Sequence, residues 1–281
     1  NIDENTMVYG SIATGYVAGG FTETCGSVFT CQPYNDEENT NIEIGLKSDL
    51  MDGRLRLNAA VFQTEYESLQ RDSVKVRMVG DVSFQETSAV NEGETTATGF
   101  ELEATFVPND NLRFDGFIGI LDHEYDEYAP GLDAGTLTAG AASGVTINPD
   151  LSGLNVPFSP EKTAGLSVTY FQDLDSGGSL TYNVGFHHMD EFETSPLPAN
   201  AAGGTADNPV IKQKANSQAQ ERTLVNAFIT WDATDNIALT FWGRNLTDEV
   251  YRVSANPVAA LWNFTRYGAP MSMGVRASFH F

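Results

Sequence analysis

Period two is written through most of this chain. In "NIEIGLK", Ile42, Ile44 and Leu46 share one face, while Glu43, Gly45 and Lys47 share the other. "RLRLNAAVF" sets Leu55, Leu57, Ala59 and Val61 against Arg54, Arg56, Asn58 and Ala60, and "TGFELEATF" sets Phe100, Leu102, Ala104 and Phe106 against Gly99, Glu101, Glu103 and Thr105. "LRFDGFIGI" repeats the pattern, as do "MVYGSIATGY", "TAGLSVTYF", "LTYNVGFHHM", "TLVNAFITW" and "IALTFWGRNL". The terminal "MSMGVRASFHF" keeps it up to an aromatic last residue. Successive side chains of a strand point to opposite faces, so this alternation predicts about ten strands, each with one apolar face.

The connections constrain the architecture further. Short, turn-rich links ("SDLMDG", "VPNDN", "QDLDSGG", "DATDN") alternate strictly with long ones at 17–39, 67–96, 124–161, 191–221 and 247–269. Compact soluble domains seldom carry several long loops without structure of their own. A transmembrane β-barrel has tight periplasmic turns and extended extracellular loops. Charge placement agrees: Lys47, Arg54, Arg56, Arg113 and Arg276 fall on the polar phase, and a cation facing lipid costs roughly 2–4 kcal/mol at the membrane midplane. Lys162 breaks phase, but it opens its strand, where a long side chain snorkels to the interface. Tyr16, Tyr66, Tyr170, Trp231, Trp242 and Phe281 lie near strand ends and are expected in an interfacial aromatic girdle. A soluble β-sandwich would share the alternation but not the loop asymmetry.

Composition removes other classes. With 38 acidic against 15 basic residues and a net charge of -23, the chain lacks the basic surface that nucleic acid requires. No apolar run approaches the length of a spanning helix. There is no nucleophile elbow, phosphate loop or zinc-spaced cluster, so neither an enzyme nor a cofactor is expected. The two cysteines, Cys25 and Cys31 in "TCGSVFTC", suit one local disulfide in an oxidising compartment; the alternative is two free thiols.

"GRNLTDEVYR" followed by "RYGAPMSMGVRASFHF" resembles the C-terminal end of TonB-dependent outer-membrane receptors, through Asn245, Leu246, Thr247, Asp248, Tyr251, Gly268, Pro270 and Phe281. "MVYGSIATGYVAGGF", the hairpin with Glu43, Gly45 and Lys47, and "ATGFELEATFVPNDNLRF" are similar to upstream segments of that family, in family order. The resemblance implies the last ten strands of a barrel of about 22 strands, with the plug domain, the TonB-binding segment and the first strands outside this chain. It implies a bacterial outer-membrane location, with outer-membrane lipid, lipopolysaccharide and the remainder of the same barrel as partners. It also implies that Gly274, Phe279 and Phe281 are read by the barrel assembly machinery. The implied function is TonB-energised uptake of a scarce solute, most often a ferric siderophore; a passive porin-like channel and a soluble all-β binding module are the alternatives.

Three loop features bear on the solute. "YNDEEN" offers Tyr34, Asp36, Glu37 and Glu38 in the first long loop, and "LWNFTRY" offers Trp262 and Tyr267 in the last. "HHMDEF" places His187 and His188 side by side on a strand, where neighbours face opposite sides, so at most one reaches the lumen.

Overall fold

The computed structural model describes residues 2–23, 26–28, 31–79, 82–128, 152–194, 218–258 and 262–280, with backbone alone for 73–79, 82–87, 256–258 and 262–263. No helix occurs among the described residues. Ten strands form one antiparallel meander: β1 (Thr6–Val17), β4 (Glu37–Leu50), β5 (Leu55–Glu67), β8 (Glu94–Asn109), β9 (Leu112–Glu127), β10 (Lys162–Asp173), β11 (Ser179–Met189), β14 (Arg222–Thr234), β15 (Ile237–Arg244) and β18 (Ser272–Phe279). Four two-stranded hairpins stand in the long connections: β2 (Gly20–Phe21) with β3 (Pro33–Tyr34), β6 (Gln70–Val79) with β7 (Val82–Asn91), β12 (Phe192–Glu193) with β13 (Gln218–Ala219), and β16 (Arg252–Val258) with β17 (Trp262–Tyr267). The alternation in sequence shows only the wall; these hairpins are a finding of the structure.

Register aligns the apolar phase across the wall. Gly10, Ile44, Val61, Phe100 and Ile120 stand in one cross-strand row, and Tyr182, Ile229, Phe241 and Val275 in another. None of the described residues covers this face: Ile44 is 58% and Val275 62% exposed. The buried apolar side chains Leu69, Tyr125, Tyr128, Tyr251 and Ala255 gather instead at the loop end. A continuous apolar face of this extent needs a solvent other than water, and hydrocarbon outside a barrel supplies it.

The opposite, lumen face is polar. Lys47, Asn58, Glu103, Phe117, Gly165 and His187 form one of its rows. Two local ion pairs lie on it: Arg56 meets Asp49 and Arg113 meets Asp115, each at 2.7 Å. Four aromatic side chains on this face lie across a glycine of the next strand: Tyr9 on Gly45, Phe62 on Gly99, Phe117 on Gly165 and Trp242 on Gly274. A Cβ at any of those glycines would overlap the ring, so the missing side chain is what admits the aromatic.

The structure corrects several sequence expectations. Tyr16, Tyr170 and Trp231 take the lipid phase, but Tyr66 and Trp242 face inward: Tyr66 packs on a small loop-end core and Trp242 covers Gly274. Arg54 lies in the turn after β4, where Met51, Asp52 and Gly53 adopt positive φ of 56°, 57° and 80°. β8 and β9 run to 16 residues each, beyond the 9–11 of a tilted span, so they project past the apolar belt. Phe281 lies outside the described residues, but its neighbourhood is secured: the His280 N–H donates to Asn236 O at 2.9 Å and Asn236 Nδ2 donates to His280 O at 2.7 Å. The outer edges of β1 and β18 have no partner among the described residues.

Candidate ligand-binding mouth

Above the apolar belt the inner side of the sheet is packed rather than open. The bases of the first two long connections are bolted together by amide side chains. Gln70 Nε2 donates to the carbonyls of Val17 (3.1 Å), Ala18 (3.1 Å) and Asn35 (3.0 Å), and Asn91 Nδ2 donates to Asn35 O (3.0 Å) and Ser68 O (2.8 Å). The Asn35 N–H returns to Asn91 Oδ1 at 2.6 Å. Each of these bonds satisfies loop backbone that would otherwise need water.

Beside this bolt, Leu69, Tyr125 and Tyr128 form a small core with Tyr66, Leu154 and Val156 packed on it. The Tyr125 and Tyr128 rings stack at 4.5 Å, and the Arg71 guanidinium lies 5.0 and 5.4 Å from their centres. Burial pushes the Tyr128 hydroxyl above its ordinary pKa, with the Arg71 charge pulling it down. His123 ties β9 to the returning chain: its Nδ1 pairs with Ser159 Oγ at 2.9 Å and its Nε2 with Thr95 Oγ1 at 3.3 Å.

Across the mouth, Asn245 organises the last long connection. It is 4% exposed with φ of +48°, and its Nδ2 donates to Glu249 O (2.9 Å) and Ala269 O (3.1 Å) while its Oδ1 accepts from the Glu249 N–H (2.9 Å). Asn tolerates the left-handed region better than other non-glycine residues. Asp248 Oδ1 accepts from the Met271 N–H at 3.0 Å, and the buried Tyr251 ring covers Gly268, whose N–H donates to Tyr251 O at 2.9 Å. The "NLTDEVY" segment is thus a clamp that closes the base of a loop.

The candidate solute residues of "YNDEEN" separate. Tyr34 is half-buried, with its hydroxyl against Gly20, and Asp36 is exposed. Glu37 Oε2 accepts from the Gln70 N–H at 2.7 Å, a structural task. Glu38 takes the lipid-side phase opposite Glu67 and Tyr16. Tyr267 is exposed at the end of β17; the side chain of Trp262 lies outside the described ones. Cys31 sits in a turn, its N–H donating to Ser27 O at 2.9 Å, while Cys25 lies outside the described residues. His187 and His188 face opposite sides; His187 looks into the lumen with Met189, and His188 is held by Thr223 Oγ1 and Asp190 Oδ1, each at 2.9 Å. Gly274 receives Trp242, and Phe279 stands on the lipid face opposite Ile237. Below the mouth, Arg56, Asn58, Glu103, Asp115, His187 and Asn226 line a lumen recess of about 370 Å³.

An apolar outer face, a polar lumen face and loops folded over one end define part of the wall of an outer-membrane β-barrel. The family model for the TonB-dependent receptor-like β-barrel matches residues 1–246, and the chain belongs to this family. The probable TonB-dependent siderophore receptor PiuA of Acinetobacter baumannii is 27% identical over 245 residues, covering 83% of this chain and 30% of PiuA. The ferric yersiniabactin uptake receptor FyuA from Yersinia pestis superposes with a TM-score of 0.73 at 18% identity, over 100% of this chain and 36% of FyuA. The ferric-catecholate import receptor Fiu from K12 E. coli does so with a TM-score of 0.62 at 18% identity, over 100% of this chain and 34% of Fiu. The chain therefore spans about a third of the length of these relatives.

Proposed function

We propose that the intact protein takes up a ferric siderophore across the outer membrane, using energy delivered by TonB. The observation that carries this reading is the two-faced sheet with its packed mouth, in a chain of the TonB-dependent receptor family. The names of the siderophore receptors it resembles support the choice of solute. In this reading the ten strands are the last ten of a barrel of about 22, whose other strands pair with the outer edges of β1 and β18. A plug, supplied by the rest of the protein, fills the lumen against the polar face. Outer-leaflet lipid, including lipopolysaccharide, covers the apolar face, and the assembly machinery reads the terminal strand with Gly274, Phe279 and Phe281. Cys25 and Cys31 form a staple that stiffens the first loop, and Tyr34, Asp36, Trp262 and Tyr267 are offered to the solute from the loops.

The test is uptake of radiolabelled ferric siderophore by cells that carry or lack the gene, in the presence and absence of TonB. Uptake that needs both is expected. Solute entry independent of TonB would instead establish the passive channel. For the staple, intact mass should lie two hydrogens below the reduced chain, and Cys25 that alkylates without reductant would refute it.

A further inference from the structure

Two arginines of the wall and one of the mouth are held in different ways. Arg56 and Arg113 each rest on a carboxylate. Arg222 rests on none, in a chain with 38 acidic residues, and no ion pair among the described residues includes it. It opens β14 opposite Met189, on the lumen phase at the mouth. Its guanidinium lies 5.8 Å from the centre of the Phe192 ring and 5.2 Å from that of Tyr251. One nitrogen donates to Gln220 O at 3.3 Å and another to Met189 Sδ at 2.8 Å. A guanidinium carries five N–H donors, so most of its donors are unspent, and the two that are spent go to neutral acceptors.

Neighbouring carboxylates are used elsewhere. Glu249 Oε2 accepts from the Thr223 N–H at 3.0 Å, and Glu193 Oε1 accepts from Gln218 Nε2 at 2.9 Å. The aromatic braces are themselves fixed, because the buried Tyr251 is locked over Gly268. Beside Phe192, at 6.0 Å between ring centres, stands Phe158, 65% exposed with φ of +64°. A bulky non-glycine residue in that region of backbone is an outlier. Its N–H donates to Glu193 O at 2.8 Å, which holds the turn in place. The result is an oriented cation with unspent donors next to an exposed aromatic shelf. Such a group binds anionic oxygen with little ordering cost, because the fork is already set.

We propose that Arg222 is a solute contact that takes an anionic oxygen of the ferric chelate, with Phe158 and Phe192 against the chelate's flat ring. This rests on the siderophore-uptake reading and narrows it to chelates of net negative charge. Three doubly charged catecholates around Fe(III) leave a trianion that carries aromatic rings, whereas three singly charged hydroxamates leave a neutral complex without them, so the Arg222 variants, which alter only the cation, separate charge from stacking.

The experiment titrates the full-length receptor in detergent with a ferric tris-catecholate and a ferric tris-hydroxamate, read by quenching of intrinsic fluorescence. The trianion is expected to bind more tightly. Arg222→Gln should weaken it about ten- to a hundred-fold, the range for a lost hydrogen bond to a charged group, and leave the neutral chelate unchanged. Arg222→Lys, which keeps the charge but not the fork, should fall between and serves as the folded variant if the Gln form assembles poorly. Equal weakening of both chelates by Arg222→Gln would make the residue a loop brace, and tighter binding of the neutral chelate would reverse the charge assignment. If the wild-type receptor binds neither, the siderophore reading itself falls.

Discussion

The membrane wall and the mouth of this protein are both β-structure, yet different forces hold them. The wall has no second layer among the described residues: Ile44, Val61, Phe100 and Val275 face outward, and its stability comes from backbone ladders whose apolar side is soaked in lipid. The mouth has a small core around Tyr125, 2% exposed, and side-chain amides that bond loop backbone. The lipid face of the wall therefore tolerates neighbours that merely keep phase, while the mouth depends on single residues. A chain can be generic where it meets lipid and particular where its loops fold over the mouth.

The comparison can be broken most severely at the wall. Ile44→Arg puts a cation against hydrocarbon and should cost about 2–4 kcal/mol, whereas Thr230→Arg, on the lumen phase, should cost little. Urea titration of the full-length receptor in liposomes reads both, and equal losses would erase the distinction between faces. At the mouth, Asn245→Ala removes three side-chain hydrogen bonds and places alanine at a positive φ. The expected loss is about 2–3 kcal/mol, with faster amide exchange at 245–271 while the wall keeps its protection.

A smaller effect tests the glycine rule of the lumen face. Gly274→Ala drives a methyl into the Trp242 ring and should cost about 2 kcal/mol. In a Trp242→Ala background the same change should be close to neutral, and additive losses in the double-mutant cycle would show that the two residues do not meet. Gln70→Ala is the mildest, about 1 kcal/mol. Hydrogen exchange should rise at 18–36 and 68–92 together, because one side chain serves both loops; a rise in only one would dissolve the bolt.

How much of this was legible follows from the same contrast. Alternation in "NIEIGLK" or "TGFELEATF" is local, so strands, faces and the long–short order of connections could be read directly. The inward facing of Trp242 and Tyr66 is not written locally, because their partners lie on other strands: a glycine such as Gly274 becomes meaningful only in register. The bolt was invisible for a stronger reason, since Gln70 reaches Val17 and Asn35 across long sequence separations. "YNDEEN" read as one acidic patch, but Glu37 and Glu38 are successive strand residues and face opposite ways. Arg222 gave no signal at all, because a lone arginine before "TLVNAFITW" looks like any strand terminus.

The central claim is that the apolar phase touches hydrocarbon and the polar phase lines the lumen. Single cysteines at Ile44, Phe100 and Val275, and at Asn58, Thr181 and Thr240, would be introduced into the full-length receptor with Cys25 and Cys31 replaced by serine. Each would carry a fluorophore in liposomes containing brominated acyl chains. Strong quenching of the first three and little of the last three is the predicted result. Equal quenching of both sets, or the reverse order, would contradict the account.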